Sequence, residues 1–508
     1  MRILKAIFSH MFVVGLLIVA QILFLLIVIG KLNQYYLPLN IILLVFAVLI
    51  AFKIMNENNN PDFKIPWLVL VLAIPLVGVV LYFLFAKNHL SKKHGKRLKE
   101  IRKKNQPYVT MTEEEDNKNK EELGMLYGQN KYIENVAGTK GFYNTKTTYF
   151  KIGEDFFEDY IKELKKAKKT IFMEYFIIEE GVMFNTILDI LKEKVKEGVD
   201  VRLIYDDLGC ASKVKTTYYK KLQKFGIKCK PFGPFVPIVS GIHNNRDHRK
   251  ITVIDSVVGY MGGINLADEY INVTHPFGRW KDSAVKLEGI GVRNLTMLFL
   301  NAYNFTVENN DEYAQYLDVD FPVFENQGFV HPFGDGPKPA DNELIGESVY
   351  MNILNNAKKY VYITTPYLII DYNLVTALRN AAFRGVDVRI ITPHIPDKKI
   401  ILSITRSYYK ELIDAGVKIY EYKPGFIHAK NFVCDDNIGV VGTINLDYRS
   451  LVHHYECGCL MLNCPCLFDI KNDFLVTQGE SIEITKDFKL SFFNRVLIYI
   501  TKFFTPLL

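Results

Sequence analysis

The sequence predicts an α/β protein with transmembrane helices at its N-terminus, followed by two similar domains that repeat each other. Long apolar stretches fill much of the first 86 residues. Beyond them, apolar runs rich in β-branched residues alternate with helical stretches, a pattern typical of βαβ units around a mostly parallel sheet. If roughly 105 of the 508 residues belong to the membrane part, about 400 remain, enough for two domains with sizeable cores.

Three apolar stretches are candidates for membrane spans: Met11 to Gly30, Ile41 to Phe52 and Trp67 to Ala86. A bilayer core of about 30 Å needs about 20 helical residues. The first and third stretches are long enough, and the second is if it begins near Tyr36. A cleaved signal peptide is disfavoured for the first stretch, because its apolar core is long and lacks a clear small-residue cleavage site. We expect two or three spans, and prefer three.

A basic segment from residue 87 to 104 follows the third stretch, and only Glu100 opposes its nine lysines and arginines. By the positive-inside rule, this segment and the two domains that follow it lie in the cytoplasm. Three spans would then place the N-terminus outside, which conflicts with Arg2 and Lys5 near its start. The segment is also suited to bind anionic headgroups, and the two roles are compatible.

The C-terminal residues offer a second membrane contact. Leu490, Phe493, Leu497 and Ile500 fall on one helical face, as in helices that lie in the membrane interface. Packing against the protein's own body is the alternative. The predicted organisation is a membrane-anchoring region at 1–105, a first domain at 106–325, a second domain at 326–485 and an amphipathic helix at 486–508.

The most informative feature is a duplicated motif, H-x-K-x4-D, running from His248 to Asp255 and from His428 to Asp435. Asn265 and Asn445 follow the two motifs, and corresponding residues are 180 positions apart. A repeat of this length is a whole domain and not a solenoid unit. Each half lacks a second histidine, so we interpret the motifs as one shared active site. Two similar domains with unrelated sites are the alternative.

These residue types suit attack on a phosphodiester. One neutral imidazole can attack phosphorus, while the other, protonated, donates to the departing alkoxide and later accepts a proton from the incoming alcohol. Such roles require that the pKa values of the two histidines differ. Lys250 and Lys430 would neutralise the phosphate oxygens. Asn265, Asn445 and Thr443 would bind the substrate phosphate. No metal or other cofactor is required.

Each imidazole also needs a carboxylate to orient it. Asp282 and Glu456 each open an apolar run beyond one of the motifs, and we predict that these two acids orient the histidines. Asp255 and Asp435 are candidate catalytic residues as members of the motifs. Each ends a strand-like run, however, and the alternative favoured for both is that they tie down a turn.

The motifs resemble those of the phospholipase D superfamily and, within it, the bacterial cardiolipin synthases. The resemblance rests on His248 to Asp255, Gly262 to Tyr270, Tyr420 to His428 and Gly442 to Ser450, and it extends over essentially the whole chain. It implies two phospholipase D-like domains, each a mixed β-sheet flanked by helices and related by a pseudo-twofold axis. It further implies a phosphohistidine on His248, with His428 as general acid and base.

The resemblance also implies a reaction in which two phosphatidylglycerols give cardiolipin and glycerol, at the bacterial cell membrane. The alternative is a membrane-anchored phosphodiesterase that uses water or another alcohol as acceptor. A catalytically silent scaffold is disfavoured because both motifs are intact. The net charge of +7 does not indicate nucleic acid as a partner.

The seven cysteines do not indicate a disulfide framework, because their number is odd and the chain is expected in the cytoplasm. Cys457, Cys459, Cys464 and Cys466 could suggest zinc. Their strand-like alternation after Glu456 favours buried thiols instead, so no metal site is predicted.

Overall fold

A computed structural model describes residues 37–86, 92–234, 244–308, 313–338, 340–341 and 343–488, with the separate positions 23, 27, 30, 31, 498, 501–503 and 505–507. The contacts between Cα atoms divide the chain into two compact units. One comprises residues 1–90, 234–245 and 499–508, and the other comprises residues 91–233 and 246–498. The predicted first span and the predicted C-terminal helix lie almost wholly outside the described residues.

Three helices form the described part of the first unit: α1 (Leu37–Asn56), α2 (Pro61–Ala73) and α3 (Pro75–Phe85). The third predicted span is therefore not one continuous helix, since it is divided at Ile74. Pro75 has no backbone N–H to continue the helix and disfavours helical backbone angles at Ile74, whose ψ is 75°. Within the described part of the chain, no helix combines the length and apolar character needed to cross a membrane.

The two helices on either side of Ile74 pack closely against each other. A Cβ atom at Gly78 would lie 2.2 Å from the carbonyl oxygen of Leu70, so this approach requires glycine. Val71 and Tyr82 are buried in the same small core, together with Ile54 of α1. The break at Ile74 is thus stabilised by the packing of α2 and α3 against each other.

The second unit begins with helices α4 (Lys92–Val109), α5 (Glu113–Leu123) and α6 (Tyr127–Ala137). Thr112 starts α5 through a capping box: its hydroxyl accepts a hydrogen bond from the amide of Glu115, at 3.2 Å. The Glu115 carboxylate in turn accepts one from the amide of Thr112, at 2.9 Å.

The first repeat forms a seven-stranded sheet of order β1-β8-β6-β5-β2-β3-β4. Its strands are β1 (Thr145–Phe150), β2 (Thr170–Tyr175), β3 (Asp200–Asp206), β4 (Lys228–Phe232), β5 (Lys250–Ile254), β6 (Val258–Gly262) and β8 (Ala284–Gly289), and β7 (Arg279–Lys281) lies apart from it. Its helices are α7 (Gly153–Lys166), α8 (Val182–Lys196), α9 (Tyr218–Gln223), α10 (Val292–Val307) and α11 (Ala314–Leu317).

The second repeat forms an eight-stranded sheet of order β19-β13-β12-β10-β15-β16-β18-β9. Its strands are β9 (Phe329–Asp335), β10 (Tyr360–Thr364), β12 (Asp387–Pro393), β13 (Lys418–Tyr422), β15 (Asn431–Cys434), β16 (Ile438–Gly442), β18 (Glu456–Leu462) and β19 (Ser481–Ile484). The short strands β11 (Leu368–Ile369), β14 (Gly425–Ile427) and β17 (Leu446–Asp447) lie outside it. Its helices are α12 (Ile345–Asn356), α13 (Tyr372–Phe383), α14 (Lys399–Ser407), α15 (Tyr409–Asp414) and α16 (Cys466–Gly479).

The two sheets have the same strand order, apart from the additional edge strand β19, so the internal repeat is confirmed. Both sheets are mixed, as the family resemblance implies, whereas the expectation of a mostly parallel sheet from the alternation of strands and helices is wrong. Among the described strands of the two sheets, β2-β3-β4 and β10-β12-β13 are the parallel sets. The motif strands β5 and β15 instead enter tight antiparallel hairpins, and the turn residues Asp255-Ser256 and Asp435-Asp436 all have positive φ.

One of the two large hydrophobic clusters of the second unit is shared by both repeats, whereas the other belongs almost wholly to the first. A single cluster of buried side chains contains Ile251 and Val285 from the first sheet together with Val441 and Met461 from the second. A parallel ladder between β7 and β14 also joins the repeats, and Lys281 pairs with Ile427 in it. This ladder places the end of β7 beside the second motif.

Candidate active site

The histidine and the lysine of each motif lie at the carboxyl ends of the parallel strands. Lys250 pairs with Tyr175, the last residue of β2, and Asn431, next to Lys430, pairs with Thr364, the last residue of β10. This edge is where open α/β sheets commonly bind their ligands. The four motif side chains of His248, Lys250, His428 and Lys430 are all buried.

Each histidine is held by the opposite repeat. The Nδ1 atom of His248 lies 2.9 and 3.0 Å from the two carboxylate oxygens of Glu456, and its backbone amide donates to the carbonyl of Tyr455 at 2.9 Å. The Nδ1 atom of His428 lies 2.6 Å from Oδ2 of Asp282. The backbone amide of His428 donates to the carbonyl of Lys281, the residue before Asp282, at 2.7 Å. The same pair of contacts therefore occurs twice, and both times it crosses between the repeats.

These contacts determine the chemistry that each imidazole offers. A carboxylate can only accept, so Nδ1 carries the proton and Nε2 is left with its lone pair. A neutral imidazole oriented in this way is a nucleophile or a base at Nε2, and it becomes an acid there once Nε2 is protonated. Both histidines can serve either role on these contacts alone.

The pKa values of both histidines are lowered. Burial lowers the pKa of His248 to about 3, although Glu456 opposes the shift. Burial, with a further contribution from Lys430, lowers the pKa of His428 to about 4. Burial alone would raise the pKa of Glu456 and of Asp282, but the contacts with His248 and His428 outweigh it, and the pKa of each acid is lowered. These pKa values favour neutral imidazoles and ionised carboxylates.

The pKa values of the two motif lysines are lowered as well. Burial lowers the pKa of Lys250 to about 7 and that of Lys430 to about 8, and Lys430 contributes to the shift of Lys250. The Nζ atom of Lys250 donates to the carbonyl of His248 at 2.5 Å, and that of Lys430 donates to the carbonyl of His428. Two buried ammonium groups so close together create a site that favours an anion.

The two asparagines differ in their contacts. Asn265 accepts a hydrogen bond from the amide of Ile177 at 3.0 Å, and its Nδ2 donates to the hydroxyl of Tyr270 at 2.7 Å. Asn445 is also buried, and its Oδ1 has no hydrogen-bond partner among the described residues. The predicted phosphate-binding role stays a prediction for both.

Thr443 contacts an orienting acid, and its predicted phosphate-binding role stays a prediction. Its hydroxyl donates to Oε2 of Glu456 and accepts from the amide of Cys457 at 3.0 Å. Gly263 occupies the equivalent position in the first repeat, where a Cβ atom would lie 2.1 Å from Oδ1 of Asp282. At this position the second repeat thus has the Thr443 hydroxyl, which contacts Glu456, whereas glycine in the first repeat leaves space for the carboxylate of Asp282.

Asp255 and Asp435 lie at the far ends of the motif strands. The Asp255 carboxylate accepts from the amides of Lys168, Lys169 and Thr170 at 2.7–2.8 Å. Asp435 accepts from the amides of residues 358 to 360 at 2.7–2.9 Å. Five strand residues, roughly 16 Å, separate Asp255 from the histidine end of β5. These contacts favour the alternative in which both aspartates tie down a turn.

Sequence reasoning gave no role to two residues beside the histidines. Tyr270 holds Asn265, and its ring centroid lies 5.6 Å from that of His428. His454 lies beside His248, with 5.4 Å between ring centroids, and its Nδ1 is 3.4 Å from Oε1 of Glu456. His454 could have been noticed because it is two positions before Glu456, and in extended backbone alternate residues point to the same side.

In the part of the chain that the structure describes, one group of side chains could approach a metal ion: His248, His454 and Glu456. Both oxygens of Glu456 already accept hydrogen bonds from His248, and one also accepts from Thr443. The carboxylate is therefore committed to orienting the imidazole. The seven cysteines are all buried free thiols.

Comparison with known proteins gives consistent matches. Residues 160–275 and 350–474 match the family described as "Cardiolipin synthase, PLD-like domain", and residues 39–87 match "Phospholipase_D-nuclease N-terminal". A cardiolipin synthase of Alkalihalophilus pseudofirmus is 32% identical over 479 residues, covering 92% of this chain and 94% of that protein. A protein of Streptococcus mutans described as uncharacterized is 46% identical over 460 residues, covering 90% of this chain and 98% of its own length.

The fold also resembles a solved structure. A phosphatidylserine synthase of Haemophilus influenzae superimposes with a TM-score of 0.56 at 15% identity, covering 76% of this chain and 100% of that one. Identity this low supports the fold alone. Together with the sequence matches, it leads to one conclusion: the chain belongs to the cardiolipin synthase family of phospholipase D-like proteins.

Proposed function

We propose that the chain is a phosphatidyltransferase that joins two phosphatidylglycerol molecules into cardiolipin and glycerol. The observation that supports this best is the crossing of the two histidine–carboxylate pairs between the repeats. Neither repeat alone holds a complete histidine–carboxylate pair. One site with two oriented imidazoles and two lysines contains what a two-step transfer of a phosphodiester needs.

In the first step, Nε2 of His248 attacks the phosphorus of one phosphatidylglycerol. The bond between phosphorus and the glycerol oxygen breaks, and Nε2 of His428, in its protonated form, gives its proton to that oxygen. The products are free glycerol and a phosphatidyl group on His248. The assignment of attack to His248 rests on family resemblance, since the pKa values of both histidines are lowered.

In the second step, a hydroxyl of another phosphatidylglycerol loses its proton to His428 and attacks the phosphorus. The bond to His248 breaks, cardiolipin leaves, and both histidines return to their starting states. Because the two steps use the same groups in opposite directions, the reaction is reversible. The electrons and protons balance without a further reactant.

Protonation of His428 requires a higher pKa than the surrounding protein groups alone give it. A bound phosphodiester brings a negative charge close to the imidazole, and an opposite charge raises the pKa of a cationic acid. Lys250 and Lys430 hold the same anion, and their charges lie in a site from which water is largely excluded. Substrate binding would thus prepare its own general acid.

Phospholipid substrates and membrane association fit the family to which the chain belongs. We place the chain in the bacterial cell membrane as a multi-pass protein, with its catalytic part on the cytoplasmic side. The support for this orientation is the basic segment at residues 87–104. No nucleic acid is required as a partner.

Product analysis tests the proposal. Purified full-length protein in detergent micelles that contain only phosphatidylglycerol should give equal amounts of cardiolipin and glycerol, resolved by mass spectrometry. Phosphatidic acid and glycerol without cardiolipin would show that water is the acceptor and would overturn the transfer reaction. His248→Ala and His428→Ala should give no product, and each is compared with the unaltered protein for folding.

A further inference from the structure

We propose that the catalytic unit contacts the surface of an anionic phospholipid membrane through a rim formed by Val182, Tyr372, Lys398, Lys399 and Ile400. The proposal rests on the proposed function, because it names the route by which lipid reaches the site. It concerns the face at the carboxyl ends of the parallel strands, where the histidine and the lysine of each motif lie.

The internal repeat places two of these residues at equivalent positions. Val182 is the first residue of α8 and Tyr372 is the first residue of α13, each reached by a loop that leaves a carboxyl end. The amide of Val182 donates to the carboxylate of Asp268 at 3.0 Å, three residues beyond Asn265. Val182 is therefore fixed beside the chain segment that carries Asn265.

The remaining members adjoin the second motif. Strand β11, shortly before Tyr372, pairs with β17, which directly follows Asn445. The amide of Leu368 in β11 donates to the hydroxyl of Thr405 in α14, at 3.2 Å. The hydroxyl of Tyr367 donates to Asp397 at 2.7 Å, which fixes the segment immediately before Lys398. Loops from both repeats thus meet around one site.

The rim is exposed although three of its members are large and apolar. The exposed fractions are 69% for Tyr372, 54% for Val182 and 45% for Ile400. Lys398 and Lys399 are exposed beside Ile400, and neither has an ion-pair partner among the described residues. Lysines beside an exposed Ile400, on a face that also carries the exposed Val182 and Tyr372, are the combination of charged and apolar groups that binds the interface of an anionic membrane. A highly charged, water-soluble partner would not require the exposed apolar side chains of the rim.

Surface dilution separates contact with a membrane from chemistry. Rates of the full-length protein are measured in mixed micelles of nonionic detergent while the mole fraction of phosphatidylglycerol is varied. Tyr372→Ser combined with Ile400→Ser should raise the mole fraction at half-maximal rate about ten-fold, because two apolar contacts are lost. The rate at saturating mole fraction should stay unchanged. Lys398→Gln combined with Lys399→Gln should weaken the dependence of the rate on salt.

A matched control is available on α16, where Phe468 and Val476 are 67% and 65% exposed but lie outside the rim. Phe468→Ser combined with Val476→Ser should leave the half-saturating mole fraction unchanged. The proposal is overturned if the rim variants behave like the unaltered protein, if the control shifts equally, or if the saturating rate falls. Failure of the proposed function would appear differently, as absence of cardiolipin with the unaltered protein.

Discussion

At the scale of single residues, the site depends on where two protons are held. Glu456 and Asp282 keep Nδ1 of the two imidazoles protonated and leave Nε2 available. Neither acid is close in sequence to the histidine that it contacts. The chemistry is therefore sensitive to substitutions more than 140 residues away from the motif concerned.

Glu456→Gln should lower kcat by about 10²–10⁴-fold, because an amide holds the imidazole in place but neither fixes its tautomer nor stabilises its cation. Steady-state rates of cardiolipin formation measure the loss. The control is Glu411→Gln, which removes a half-exposed carboxylate paired with Arg379. A Glu456→Gln protein with normal kcat would show that the carboxylate does not support His248.

The lysines predict the alkaline limit of activity. The protonated forms of Lys250 and Lys430 neutralise the substrate, and their pKa values are about 7 and about 8. As the pH rises through these values the lysines lose their charge, so kcat/KM should fall above pH 7 to 8. Lys250→Arg should move this limit to higher pH, since a guanidinium stays charged. An alkaline limit that Lys250→Arg does not move would exclude Lys250 as its source.

Much of this residue-scale account could be predicted from sequence, for a physical reason. The two motifs have the same spacing because β5 and β15 pair in the same way in their sheets. Each strand presents its histidine and lysine at the carboxyl ends of the parallel strands, as His248 and Lys250 in the first repeat and His428 and Lys430 in the second. Which acid contacts which histidine could not be predicted, because that depends on how the two repeats face each other. The contact of Thr443 with Glu456 lies within the second repeat, and the duplicated pattern did not indicate it because the equivalent position in the first repeat is Gly263.

At the scale of secondary-structure elements, the motif hairpins set the position of the histidines. Asp255 and Asp435 fasten the far ends of β5 and β15 to the chain before β2 and β10. The parallel and antiparallel parts of each sheet meet at this point. The sequence predicted helices and strands alternating along the chain, but it did not indicate these hairpins, whose turn residues lack glycine.

Asp255→Ala should lower the free energy of unfolding by about 1–3 kcal/mol, because three backbone amides lose their acceptor in a partly exposed turn. The value of kcat per folded molecule should be unchanged. Chemical denaturation and active-site-normalised rates measure the two effects. Loss of kcat at unchanged stability would instead assign Asp255 a catalytic role.

At the scale of the whole molecule, the two repeats of the catalytic unit are tied together by more than the site. Lys281 and Asp473 form an ion pair between repeats at 2.7 Å, and both side chains are largely buried. Tyr149 also donates to Asp473, at 2.7 Å. With a shared hydrophobic core, these contacts indicate that the repeats unfold together.

Asp473→Asn should therefore lower the free energy of unfolding by about 3–5 kcal/mol, since it leaves the Lys281 ammonium buried without an ion-pair partner. The transition should remain single, because one cluster of buried side chains contains members of both repeats. Asp189→Asn is the control: its pair with Lys192 is exposed, and its loss should cost at most about 0.5 kcal/mol. Two separate transitions in either protein would contradict the shared core.

The central claim is that the two repeats build one site in which His248 carries the phosphatidyl group. The most direct measurement is rapid mixing of the full-length protein with phosphatidylglycerol, an alkaline quench and mass spectrometry of the resulting peptides. The account predicts a phosphatidyl adduct on the peptide that contains His248 and none in the His248→Ala protein. An adduct on His428, or formation of cardiolipin with no histidine adduct at any time point, would contradict it.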